Sequence, residues 1–111
     1  MKEYLLLFKG GLAQDASPEI WQQHMLEWRQ WMDALGTAGK LGGGQQLDQN
    51  GRVMRKENDR VIDRPYAETK EIVGGYITVK ADTIEEAVEL AKDCPIFIYN
   101  GTCEVAKVIA M

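Results

Sequence analysis

The chain has 111 residues, 45% of them apolar and 27% charged, with a formal charge of −4. That length suits one domain with a modest core, and an acid excess with scattered lysines and arginines argues against a nucleic-acid surface, which needs a concentrated basic patch. No apolar run reaches the roughly 20 residues that span a bilayer, and the N-terminus lacks the basic start, apolar stretch and cleavage site of a signal peptide, so a soluble cytoplasmic protein that binds no membrane is expected.

Glu3 to Lys9 reads as a strand with Tyr4, Leu6 and Phe8 on one face and Leu5 and Leu7 on the other. Both faces therefore need cover. Helices can cover one side of a four-stranded sheet; the most economical cover for the other is the same sheet of a second subunit, which predicts a homodimer through the sheet face. Gly10-Gly11 ends the strand, and Leu12 to Ala16 is a loop.

Ser17-Pro18 starts a helix, with Ser17 as N-cap, Pro18 at the first helical position and Glu19 near the positive end of the dipole. Trp21, Met25, Trp28, Met32 and Leu35 recur at helical spacing and predict one narrow apolar stripe. Trp21 and Trp28 within it read as core, whereas Trp31 on its flank is a candidate for lining a pocket or a subunit interface. His24, the chain's single histidine, sits beside Trp28 and Trp31 at the edge of the stripe, where a half-buried side chain still reaches a cavity. It is either a packed, hydrogen-bonded residue or a general acid or base near neutral pH. No second histidine or cysteine stands at ligand spacing from it, and since neither a metal nor an organic cofactor has a motif, neither is expected. Gly36 and Gly39 are both placed to end the helix.

Lys40 to Leu47 predicts a weak second strand. Its Gly42-Gly43-Gly44 suits a bulged edge or a close backbone approach better than a phosphate loop, because no Gly-Lys-Ser or Gly-Lys-Thr follows. Asn50-Gly51 predicts a two-residue hairpin turn and Asn58-Asp59 a second turn, giving a meander of Gln45 to Gln49, Arg52 to Lys56 and Arg60 to Asp63. The meander delivers Asp63 into Asp63-Arg64-Pro65-Tyr66-Ala67-Glu68-Thr69-Lys70-Glu71, followed by Ile72, Val73 and Gly74-Gly75-Tyr76. Pro65 fixes its own φ and pushes Arg64 towards an extended conformation, so a strand ends here in a rigid loop dense with ionisable groups. Both a binding rim and a solvated connector fit such a loop.

This stretch closely resembles the signature of the YCII-related family, also called the DGPF family, which reads Asp-Gly-Pro-Phe-Ala-Glu-Thr-Lys-Glu before an apolar pair and Gly-Gly-Phe or Gly-Gly-Tyr. Arg64 stands where the family has glycine and Tyr66 where it has phenylalanine; Arg64 either narrows a pocket or adds a positive group to it. The resemblance covers essentially the whole chain and implies a ferredoxin-like α+β domain that pairs into a dimeric α+β barrel.

After the signature, Tyr76 to Lys80 is a strand with Ile77 and Val79 on one face and Tyr76 and Thr78 on the other. Thr83-Ile84-Glu85-Glu86 is a capping box opening a second helix, with Ile84, Ala87, Val88 and Ala91 buried and Glu85, Glu86, Glu89 and Lys92 solvated. That helix ends before Pro95, Phe97 to Tyr99 form a loop to Asn100-Gly101, and Thr102 to Ile109 is the last strand. Cys94 and Cys103, without metal-ligand spacing or a basic sequence neighbour, read as free thiols. The order of strand, helix, strand, hairpin insertion, strand, helix, strand is the split βαβ pattern of a ferredoxin-like fold.

In a barrel of the implied kind, a cleft between sheet and helices is the expected place for a ligand. The groups expected there are His24 as acid or base, Asp63 orienting it, Glu68 as the alternative base, Lys70 or Arg64 on an anionic part of the ligand, and Tyr66, Tyr76 and Trp31 as binding residues. Two functions remain open: an enzyme acting on a small organic molecule by proton transfer, and a non-catalytic small-ligand-binding or regulatory module.

Overall fold

Alternation along the first strand sets the layer order. In β1 (Lys2–Lys9), Tyr4, Leu6 and Phe8 are buried, while Leu5 and Leu7 on the other face are only half-buried. The computed structural model, which describes residues 1–66 and 72–110, stacks both helices on the fully buried side. These are α1 (Pro18–Thr37) and α2 (Ile84–Ala91), followed by a short 3₁₀ helix, Pro95–Tyr99. The strands after β1 are β2 (Leu41–Gln46), β3 (Arg52–Glu57), β4 (Arg60–Pro65), β5 (Val73–Ala81) and β6 (Thr102–Lys107). Four of them form an antiparallel sheet in the order β2-β5-β1-β6, which is the ferredoxin-like arrangement.

Local chemistry accounts for the ends of the helices. The Ser17 hydroxyl accepts the Ile20 N–H at 3.3 Å, and Pro18 follows as the first helical residue. Gly36 stays inside α1; the exit is made at Gly39, whose φ of 71° lets Lys40 N–H reach back to the Leu35 carbonyl at 2.9 Å. Thr83 caps α2 by accepting the Glu86 N–H at 3.2 Å. Glu86 was expected on a solvated face. Its carboxylate instead accepts from Asp82 N–H at 3.0 Å and pairs with Lys40 at 2.8 Å, tying the start of α2 to the residue before β2. That hydrogen bond holds Lys40 above and Glu86 below their ordinary pKa values. The buried face of α2 is also narrower than its pattern implies: Ala87 and Ala91 are buried, but Ile84 and Val88 are 43% and 38% exposed. Alanines let the helix lie close to the sheet, which leaves the larger side chains beside the line of contact.

The glycine run behaves as a bulged strand. Register shifts between Leu41 and Gly44, and a Cβ on Gly44 would come within 2.7 Å of the Tyr76 carbonyl oxygen. The expected hairpin at Asn50-Gly51 does not form: β2 ends at Gln46, and β3 pairs with β4 instead of with β2. The turn lies at Asn58-Asp59, where φ values of 49° and 63° give the two left-handed residues of a type I′ hairpin joining β3 to β4. Gly51 has another use: the Tyr66 ring lies directly on it, and Tyr66 N–H donates to the Gly51 carbonyl at 3.1 Å.

β3 and β4 form a two-stranded sheet of their own. Six residues per strand make an arm about 20 Å long. A radius of gyration of 15.6 Å, against about 13 Å for a compact chain of this length, agrees with an arm that projects from the body. Among the described residues no helix is long and apolar enough to cross a membrane.

Candidate functional site

The site begins with the rotation of α1. His24, Trp31 and Leu35 are the buried residues of this helix. At 3.6 residues per turn they share one line, whereas Trp21, Met25 and Met32 lie about 80° round from it and Trp28 falls between. The apolar side of α1, the stripe together with Trp31 on its flank, is therefore divided between two jobs. Trp31 is held in the core, edge-on to Phe8 and Trp28, and its indole N–H donates to the Leu90 carbonyl of α2 at 3.2 Å. Trp21, Met25, Trp28 and Met32 face a cavity of about 710 Å3 instead. Trp31, expected to line a pocket, is structural, and Trp21, expected in the core, is a wall.

Opposite the helix, the cavity is closed by Phe8 and Ile77 of the sheet and by Ile96 of the 3₁₀ helix. Its rim is amide-rich, with Gln14 from the loop after β1, Gln46 at the end of β2 and Gln49 beyond it. Arg29 and Asp48 bring one charge of each sign. The Gln49 side-chain oxygen is buried without a hydrogen-bond partner among the described residues. The pattern of glutamines carried little signal in the sequence, because their convergence depends on where the chain leaves β2.

His24 is 3% exposed, set edge-on to Trp21, Trp28 and Tyr99, with the Tyr99 ring centroid 4.9 Å away. The Trp28 indole N–H donates to His24 Nε2 at 3.0 Å, so Nε2 presents its lone pair and the ring proton belongs on Nδ1. That Nδ1 lies 3.5 Å from Glu27 Oε1 but is not aligned for a hydrogen bond. Among the described residues, the carboxylate beside the histidine is thus Glu27, its i+3 neighbour on the helix. Helical spacing made it findable, whereas attention to the signature loop drew it elsewhere.

Of the signature, Gly74, Gly75 and Tyr76 border the same cavity as His24, whereas its described charged residues, Asp63 and Arg64, do not. Asp63 lies on β4 and takes both ends of a bidentate pair with Arg52, at 3.0 and 2.6 Å. Arg64 pairs with Glu57 at 3.2 Å, and Tyr66 covers Gly51 at the foot of the arm. The reason is topological: β3 and β4 pair with each other, which carries Asp63 and Arg64 out with the arm. Arg64 and Tyr66 border a separate hollow of about 250 Å3 with Val53 and Ile62. Tyr76 contacts the cavity between Gly75 and Ile77, but strand alternation turns its side chain to the opposite sheet face from Ile77. Glu68 and Lys70 lie outside the described residues.

Both thiols are free, and both are shielded from ionisation. Burial pushes Cys94 up to about 12 and Cys103 up to about 11. Nucleophilic attack needs the thiolate, so iodoacetamide at pH 8 is expected to spare Cys94 in the native protein and to alkylate it in urea; fast native labelling would refute its burial. Because the folded state retains these protons while the unfolded thiols ionise near pH 9, the thiols also make stability fall as pH rises through 9 towards 12.

Among the described residues no three histidine, cysteine, aspartate or glutamate side chains cluster as a metal site would. Fold and cavity together define a small ferredoxin-like α+β protein with a ligand-sized hollow between its first helix and its sheet. The family model of the YCII-related domain matches residues 11–111, and the chain belongs to the YCII-related family. No curated protein matches the chain significantly.

Proposed function

We propose that the chain binds an uncharged, largely aromatic small molecule in the cavity beneath α1, as one subunit of a homodimer closed through the open sheet face. The observation that carries the ligand reading is the outward turn of Trp21, Met25, Trp28 and Met32 into a cavity whose rim is built of glutamine amides. Aromatic walls and pliable methionines suit a flat apolar body, and amides suit its neutral donors and acceptors. Arg29 and Asp48 offset one another, so the cavity carries no net charge that would select an ion. The dimer reading rests on the half-buried Leu5, Leu7 and Tyr76, which share the sheet face that carries no helix.

A proton-transfer enzyme is the second reading, favoured by the 3.5 Å approach of His24 Nδ1 to Glu27. It demands more of the site, because the Nε2 lone pair already accepts from Trp28.

Titration with N-phenyl-1-naphthylamine, a neutral aromatic probe, tests the ligand reading. Saturable binding with quenching of tryptophan emission is expected, weaker by at least about tenfold in Met25→Arg, which places a charge on the wall. Met25 is 39% exposed, so this variant should keep its fold. Failure to bind, or tighter binding of the sulfonated analogue 1-anilinonaphthalene-8-sulfonate, would sink it.

A further inference from the structure

The β3–β4 arm is a feature that the cavity does not explain. Among the described residues its strands pair only with each other, and both of its faces are largely exposed. An isolated two-stranded ribbon is marginal in water and needs something to lie against. Across the ribbon Met54 stands opposite Asp63 and Lys56 opposite Val61, so Met54 and Val61 share one face. They are 69% and 63% exposed, an apolar pair open to solvent.

Charge supplies the identity of the occupant. Residues 52–65 hold five basic side chains (Arg52, Arg55, Lys56, Arg60, Arg64) and three acidic ones (Glu57, Asp59, Asp63), a net of +2. The whole chain has 13 basic and 17 acidic residues, so the remainder holds 8 and 14, a net of −6. Arm and body are of opposite sign, so the arm of one copy and the body of another attract. Such complementarity steers and orients association.

We propose that the β3–β4 arm embraces a second copy of this chain, its Met54–Val61 face lying against the acidic body of that copy. The contact is independent of the ligand reading. It shares with the open sheet face only the second copy, and it holds the two bodies together by a strand ribbon in addition to the faces of their sheets.

Lys56 is the single lysine of the arm, which makes the contact readable. Isotopically heavy and light copies are co-refolded, treated with a carbodiimide that joins amines to carboxylates, and analysed by mass spectrometry. Mixed heavy–light peptides linking Lys56 to carboxylates outside the arm are expected. They should be lost in Met54→Asp/Val61→Asp, with a dimer dissociation constant raised at least about tenfold. Both positions are exposed, so the variant should keep the wild-type circular dichroism spectrum. A monomer at all concentrations would overturn both the arm contact and the sheet-face dimer. A dimer in which Lys56 links only within its own chain, or not at all, would overturn the arm contact alone, and so would a monomer that sediments with anionic vesicles or nucleic acid.

Discussion

Trp31→Ala is expected to lower the free energy of unfolding by about 3–5 kcal/mol, a large part of the 5–15 kcal/mol typical of a whole domain. The side chain is 8% exposed, sits edge-on to Phe8 and Trp28, and joins the two helices through its bond to Leu90. Alanine would leave a large void between helix and sheet and strip a partner from a carbonyl near the end of α2. Trp21→Ala is the informative comparison. That indole is half-buried on the cavity wall and donates to the Ala13 carbonyl at 3.1 Å, so its loss should cost roughly 1–2 kcal/mol while weakening probe binding. Urea unfolding of the two variants decides the rotation of α1. If Trp21→Ala proved the costlier, the helix would be turned so that the whole stripe faces the core.

His24→Ala is expected to cost about 2–4 kcal/mol, from lost packing and from a Trp28 N–H left without its acceptor. Three aromatic rings surround the imidazole, and the two indoles among them carry no acceptor. A double-mutant cycle of His24→Phe and Trp28→Phe isolates the hydrogen bond, for which a coupling of about 0.5–1.5 kcal/mol is expected. The cycle also separates the two functional readings. A histidine kept for proton transfer would leave stability nearly unchanged on replacement and remove turnover; a histidine kept to hold Trp28 in the wall would change stability and probe affinity together.

Much of the fold was legible from residue types alone. Ser17-Pro18, the Thr83 cap, the alternation of Tyr4, Leu6 and Phe8, and the breaks at Gly39 and Pro95 act within a few residues of themselves, so their effect is written locally. The signature around Pro65 located the family for the same reason: it is a contiguous string. The candidate site was far less legible. Asn50-Gly51 has the composition of a hairpin turn, yet its glycine serves the approach of Tyr66, fifteen residues on. Asp63 looked ready to meet His24, yet it is paired across the arm with Arg52.

The sequence by itself determined the two α-helices, most of the strands, the order in which they alternate, and which residues are apolar enough to be covered, but it placed a strand at Gln45 to Gln49 and a loop at the 3₁₀ helix Pro95–Tyr99. Tertiary structure decided what covers them. The apolar side of α1 spans more of the helix surface than the sheet beneath it can fill, so packing chose Trp31 and Leu35 for the core and left Trp21, Met25 and Met32 to wall a cavity. Strand pairing likewise joined β3 to β4 rather than to β2, and so carried the signature carboxylate outward on an arm instead of inward to the histidine. Periodicity fixes the angle between side chains on one element, but which angle points inward is set by the neighbours that the whole chain brings to it.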